Sequence, residues 1–183
     1  AWCVETEIPL PSYYCHSSSR MKYFIDFDRV LFDHDSFKEA ISERHLEELY
    51  ADPAIWDKLS PEDYFYPDTI SFLENLPKEE VMIISAYTAR IGPRAEAYQA
   101  RKLQDSGISE YVGDVVIMDG AKAPHVAQRL NGSGFFIDDK RKYVEEVLLA
   151  CPSVTCIQVL RPGAERTKFD DSLHPELDIP VVQ

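Results

Sequence analysis

The stretch MKYFIDFDRVLFD, residues 21–33, decides the fold. Lys22–Phe27 is apolar enough to be a strand covered on both sides, yet it runs into Asp26, then Phe27, then Asp28. Carboxylates at i and i+2 of an extended chain project to the same side, with Phe27 facing the opposite layer. A buried strand ending on two acids calls for a reason, and the rest of the chain supplies candidates.

Four further runs have the same near-continuous apolar character: EVMIIS (80–85), DVVIM (114–118), GFFID (134–138) and VTCIQVL (154–160). Between them IGPRAEAYQARKLQDSG (91–107), KAPHVAQRLNGSG (122–134) and KRKYVEEVLLACP (140–152) each read as one helix closing at Gly or Pro. Strands alternating with helices predict an α/β fold, a three-layer, doubly wound, Rossmann-like parallel sheet of about five strands. Residues 36–63 interrupt the rhythm with a helical pattern anchored by Ile41, Leu49, Ile55, Trp56 and Leu59. They predict a small helical cap inserted at 33–65, with the core domain formed by 21–32 and 66–183. Residues 1–20 are an N-terminal extension to which the sequence assigns no role, and DIPVV (178–182) adds a last extended piece.

The chain has 183 residues, 45% of them hydrophobic, and suffices for one domain that folds without a staple. A net charge of −13 excludes a broad nucleic-acid surface and an anionic-membrane surface, and is read as solvation. No apolar run approaches the roughly 18 residues of a membrane helix. Cys3, Cys15, Cys151 and Cys156 form no zinc spacing and read as thiols of a reducing, cytoplasmic compartment.

In open parallel sheets ligands bind beyond the carboxyl ends of the strands. Those ends offer Asp26 and Asp28, then Ser85, then Asp119 and Lys122, then Asp138 and Asp139. Gathered acids repel or protonate unless a cation neutralises them. All-oxygen ligands with no His or Cys nearby select a hard ion, Mg²⁺, which shares its shell with phosphate. A hydroxyl at Ser85 and an ammonium at Lys122 suit phosphate oxygens. Helix capping is the competing reading for Ser85, Asp138 and Asp139, and a solvated helix face is the preferred one for Lys140, Arg141 and Lys142. Tyr64, Phe65 and Tyr66 read as core of the insert.

In order, DFDRVLFD, Ser85 within VMIISAYTAR, Lys122 within DGAKAPHVAQRL, and FFIDDKRKYVEE resemble the four motifs of the haloacid dehalogenase (HAD) superfamily, phosphatase branch, over about residues 21–160. The resemblance implies that Asp26 is a nucleophile forming an aspartyl phosphate and Asp28 the general acid and base. It implies that Ser85 and Lys122 hold the transferring group, and that Asp26, the Asp28 backbone carbonyl, Asp138 and, with less support, Asp139 hold Mg²⁺. A dehalogenase of the superfamily lacks the second acid, so Asp28 points to hydrolysis of a phosphate monoester, the substrate being a small phosphorylated molecule. A phosphotransferase of the same fold, or a non-catalytic phosphate-binding scaffold, is the alternative. Arg29 departs from the pattern, standing where many members carry Gly, and its role is unassigned, as are the natural substrate and oligomeric state.

Overall fold

The computed structural model describes residues 21–41, 58–89, 94–163 and 173–183. The extension 1–20 with Cys3 and Cys15, and residues 42–57 with His45, Leu49, Ile55 and Trp56, lie outside the described residues. The elements are β1 (Lys22–Ile25), α1 (His34–Ile41), α2 (Thr69–Glu74), β2 (Val81–Tyr87), α3 (Ala95–Asp105), β3 (Asp114–Asp119), α4 (Ala123–Arg129), β4 (Gly134–Asp138), α5 (Arg141–Ala150), β5 (Val154–Val159) and β6 (Val181–Val182).

All strand pairings are parallel, and the sheet has six strands in the order β3-β2-β1-β4-β5-β6. The predicted count of about five left out β6, which lies in the extended piece expected at 178–182 and whose two residues pair with Gln158 and Val159. Chain order runs outward from β1 through β2 to β3 and then returns to place β4 on the other side of β1. The switch point therefore lies between β1 and β4, where a crevice must open at the strand ends.

Side-chain alternation along the strands fills the two outer layers. Ile25 and Ile83 pack with Leu73, Tyr98, Leu103 and Ile108 on one face, while Phe24, Ile84 and Phe136 pack with Val126, Val144 and Val147 on the other. Phe37 and Ile41 of α1 are buried in the first cluster, with Leu59, Tyr64 and Phe65 against it. Phe27, Phe32, Phe37, Tyr64 and Phe65 form a chain of ring contacts with centroids 4.8–6.3 Å apart. Tyr64 and Phe65, expected to form a core for the insert, thus pack against the core of the sheet.

Pairing of β1 stops at Ile25, two residues short of the predicted run. Asp26 N–H still donates to Ile137 O at 2.8 Å, but the Phe27 carbonyl accepts from both Leu31 and Phe32, which turns the chain back on itself. Arg29 takes φ +61° in this loop, the left-handed region that glycine enters without strain. Its guanidinium is locked on Asp35 in the first turn of α1, with Nε 3.0 and 3.1 Å from the two carboxylate oxygens and Nη2 2.6 Å from Oδ1. Far along the chain, Arg161 braces the same loop: Nε and Nη2 donate to Val30 O at 3.0 and 2.8 Å, and Nη1 to Asp68 at 2.8 Å. The Arg161 guanidinium stacks 4.5 Å from the centre of the Tyr66 ring.

The register between β1 and β4 depends on a close approach. A Cβ on Gly134 would lie 2.8 Å from Lys22 O and 3.3 Å from Leu130 Cδ1. Gly134→Ala must push apart two hydrogen-bonded strands, and we expect it to destabilise the chain by about 1–3 kcal/mol, read as a fall in the urea midpoint.

Candidate active site

Asp26 and Asp138 end up at the switch point because β1 and β4 are neighbours in register, Ile25 opposite Ile137. Lys122, just ahead of α4, places its ammonium between them, 2.6 Å from Asp26 Oδ1 and 2.6 Å from Asp138 Oδ2. Its side chain is 1% exposed and the two carboxylates are 8% and 0% exposed, so this contact is largely shielded from solvent. Burial disfavours the ammonium, but Asp138 and Asp26 outweigh it and push the Lys122 pKa up.

Asp139 completes the group. Carboxylate oxygens of Asp26, Asp138 and Asp139 lie within 4.8 Å of one another. Asp139 Oδ1 is buried with no hydrogen-bond partner, an unsatisfied anionic acceptor of the kind a cation completes. Burial first, then the charges of Asp138 and Asp26, raise the Asp139 carboxyl well above its ordinary range. Three acidic oxygens sharing one small space, one of them unpartnered, fit a hard divalent ion such as Mg²⁺.

Asp28 has different company. Lys102 Nζ lies 2.5 Å from Oδ1, His34 Nδ1 3.5 Å from the same oxygen, and Gln99 Nε2 donates to Oδ2 at 3.0 Å. Burial would raise this carboxyl, yet Lys102 and His34 together hold it well below the ordinary range. The two acids of the opening stretch therefore diverge. Asp26 is pushed up to about 6, with burial the largest cause, Lys122 opposing it, and the charges of Asp138 and Asp28 reinforcing it.

Ser85 is buried, and its Oγ accepts a hydrogen bond from Gln99 Nε2 at 2.7 Å. It does not end its strand as expected: β2 continues to Tyr87 because pairing with β3 persists to Tyr87 opposite Asp119. This position also removes the helix-capping alternative for Ser85. Asp138 and Asp139 do not cap α5 by side-chain hydrogen bonds either; the residue ahead of that helix is Lys140, whose N–H donates to Asp138 Oδ1 at 2.8 Å. Asp119 accepts from Ala89 N at 3.1 Å and precedes Gly120 at φ +88°, as a turn residue should.

The expectation of acids without histidine nearby is corrected by His34, which the tight 26–33 loop folds back onto Asp28. The run Lys140, Arg141, Lys142 is not one solvated face. Lys140 lies among Asp139, Asp26 and Asp138, which raise its pKa against the effect of burial, and Arg141 bonds Glu145 and Leu177 O at 2.8 and 2.6 Å. Only Lys142 points outward, 48% exposed. The sequence reading missed Gln99 and Lys102 altogether. The signal was present: Ala95, Tyr98, Gln99, Lys102 and Leu103 have the i, i+3, i+4, i+7, i+8 spacing of a buried face, with two polar residues inside it.

A cavity of about 490 Å³ opens on the Asp28 side of this group, lined by Asp28, His34, Tyr98, Gln99, Asp139 and Lys140 among others. Solved structures share the surrounding architecture. A protein assigned as a haloacid dehalogenase-like hydrolase in Burkholderia xenovorans superposes with a TM-score of 0.61 at 15% identity, over 89% of this chain and 92% of its own. The chain has the haloacid dehalogenase-like hydrolase fold. The HAD-hydrolase YfnB of Bacillus subtilis, solved with magnesium bound, has the HAD-like fold at a TM-score of 0.50 and 9% identity, over 88% of this chain and 92% of its own. No family model matches the sequence, and no curated protein matches it significantly. Among the described residues, no helix of this HAD-like fold is long and apolar enough to cross a membrane.

The raised Asp26 carboxyl has a thermodynamic consequence. The folded chain holds this proton more tightly than an unfolded chain, whose carboxyl titrates near 3.8, so the Asp26 contribution turns against folding as pH rises from about 4 to about 6. With divalent ions chelated, Asp26→Asn should match the parent below pH 4 and exceed its stability by about 2–3 kcal/mol above pH 6, measured by urea unfolding across that range.

Proposed function

We propose that this chain is a Mg²⁺-dependent phosphatase of the HAD type that hydrolyses the phosphate monoester of a small molecule. The observation that carries this reading is the buried ammonium of Lys122 between Asp26 and Asp138, beside the unpartnered Asp139 oxygen at the β1/β4 switch point. It combines a carboxylate able to attack phosphorus, a fixed positive charge for the phosphoryl oxygens, and an acidic group able to hold a metal.

Asp26, Asp138 and Asp139 would hold Mg²⁺, with the Asp28 backbone carbonyl as a further ligand. Once bound, the ion neutralises the phosphoryl oxygens and lets Asp26 react as the anion. A carboxylate oxygen of Asp26 attacks phosphorus as the bond to the leaving-group oxygen breaks, and that oxygen takes the departing electron pair. Asp28 is ionised in the free site. It takes up the proton of the monoanionic ester as this binds, and passes it to the leaving oxygen. A water molecule then attacks the aspartyl phosphate, giving a proton to Asp28 while the phosphorus–Asp26 bond breaks. Inorganic phosphate departs as its monoanion, carrying that proton away from Asp28, and both carboxylates are restored. Lys122 and the Ser85 hydroxyl hold the transferring group throughout, offsetting its charge.

The cavity beside Asp28 lies where the leaving group would sit, and its volume of about 490 Å³ suits a small organic molecule. Residues 33–65 would cover that side as a small cap, with specificity residing there.

The test is phosphate release from 4-nitrophenyl phosphate by the full chain. We expect activity that requires Mg²⁺, is abolished by a chelator, and falls by on the order of 10³ or more in Asp26→Asn. Turnover that survives in Asp26→Asn, or is indifferent to metal removal, would remove the aspartyl-phosphate reading.

A further inference from the structure

We propose that Gln99 and Lys102, on the buried face of α3, are positioning residues for this chemistry: Lys102 and Gln99 fix the Asp28 carboxylate, and Gln99 aims the Ser85 hydroxyl proton at the substrate. The inference rests on the phosphatase reading and adds to it a helix that none of the sequence motifs includes.

The argument begins with what each group can donate. A side-chain amide carries two N–H donors on one nitrogen, whereas an ionised carboxylate only accepts. Gln99 must therefore turn its nitrogen toward Asp28, and the same nitrogen donates to Ser85 Oγ 2.7 Å away. The Ser85 oxygen is thereby used as an acceptor. Its own proton is left to point elsewhere, and among the described residues no acceptor for it is found. A phosphoryl oxygen between Ser85 and Lys122 would supply one. Gln99 thus links two groups with different tasks, holding one as a proton carrier and orienting the other as a donor.

Lys102 restrains the opposite oxygen of Asp28. Its side chain is 0% exposed, and its ammonium lies 5.4–5.8 Å from the ring centres of Phe27, Phe32 and Tyr98. This aromatic enclosure leaves the charge Asp28 as its carboxylate partner at 2.5 Å, with His34 Nδ1 at 3.4 Å. Because Phe27 lies between the two acids in sequence, the enclosure also fixes the turn that separates them. A buried ion pair of this kind contributes little stability compared with a well-packed apolar side chain, so folding alone gives no reason for an ammonium here. Placement of Asp28 against a leaving group gives one, since a misplacement of about 1 Å can cost about 10²-fold in rate.

Two esters of nearly equal shape separate this role from a general loss of structure. Phenyl phosphate has a weakly acidic leaving group that needs a proton as it departs, whereas 4-nitrophenyl phosphate releases a far more acidic phenol that does not. For Lys102→Met and for Gln99→Leu, the ratio of kcat/KM on phenyl phosphate to that on 4-nitrophenyl phosphate should fall at least about tenfold relative to the parent. Gln99→Leu should also raise KM for both esters severalfold, because the Ser85 hydroxyl is no longer aimed. A misfolded fraction lowers both rates alike and cancels in the ratio, so partial unfolding does not imitate the result.

An unchanged ratio overturns the positioning role of the variant concerned, whatever happens to the absolute rates. Asp26→Asn is assayed alongside. If it is inactive while both ratios are unchanged, this proposal fails and the phosphatase reading stands. If Asp26→Asn turns over either ester, or the parent turns over neither, the reading itself fails and the proposal with it.

Discussion

A single ammonium holds the carboxyl ends of the central strands together. Asp26 closes β1 and Asp138 closes β4, and their side chains would meet in a buried space with nothing to offset their repulsion if Lys122 were not between them. Removing that ammonium would leave the two buried carboxylates without a counter-charge, which costs far more than the intact arrangement contributes. The placement of Lys122 follows from the chain path. The residue ahead of α4 lies over the strand ends because α4 crosses from β3 at the sheet edge back to β4 beside β1. The topology delivers the cation to the place where the sheet gathers its acids.

Around that contact the site divides into two electrostatic halves. On one side Asp26, Asp138 and Asp139 outnumber Lys122 and Lys140, and burial favours protons or a metal ion. On the other, Lys102 and His34 keep Asp28 anionic. Two identical side chains separated by one phenylalanine thus acquire opposite tendencies. The cause is the loop: pairing ends at Ile25, the Phe27 carbonyl turns the chain, and Arg29 accepts a left-handed backbone held by Asp35.

The layout was legible in the sequence to the extent that it depends on local pattern. Apolar runs marked five of the strands, though the C-terminal ends of β1 and β2 each fell two residues from where the pattern put them, and the acids at the ends of β1 and β4 were visible because carboxylates interrupt an apolar run there. Ser85 was found but misplaced, since Ala86 and Tyr87 can extend a strand as readily as they can leave it. β6 was foreseen as an extended piece within 178–182, but two residues were too few to mark it as a strand of the sheet. Gln99 and Lys102 were passed over because a polar residue on a helix is read as solvent-facing unless its spacing is set against the apolar stripe. The contact of Lys102 with Asp28 joins residues 74 apart, and no local window contains both. Arg29 was flagged only by comparison with a pattern that has glycine in its place, and φ +61° supplies the physical reason for that glycine.

The brace from Arg161 to Val30 O joins residues 131 positions apart and ties the loop after β1 to a segment beyond the last long strand. A ribosome adding about 5–20 residues per second makes the loop on the order of ten seconds before it makes the brace. Early in that interval the nascent chain can pair β1 with β2 while Lys122 and β4 are still to be made. The acids at the end of β1 then meet solvent as ordinary ionised side chains. Their unusual proton affinities belong only to a chain that already carries Lys122 and β4, so the order of synthesis keeps these carboxylates ordinary until the fold encloses them.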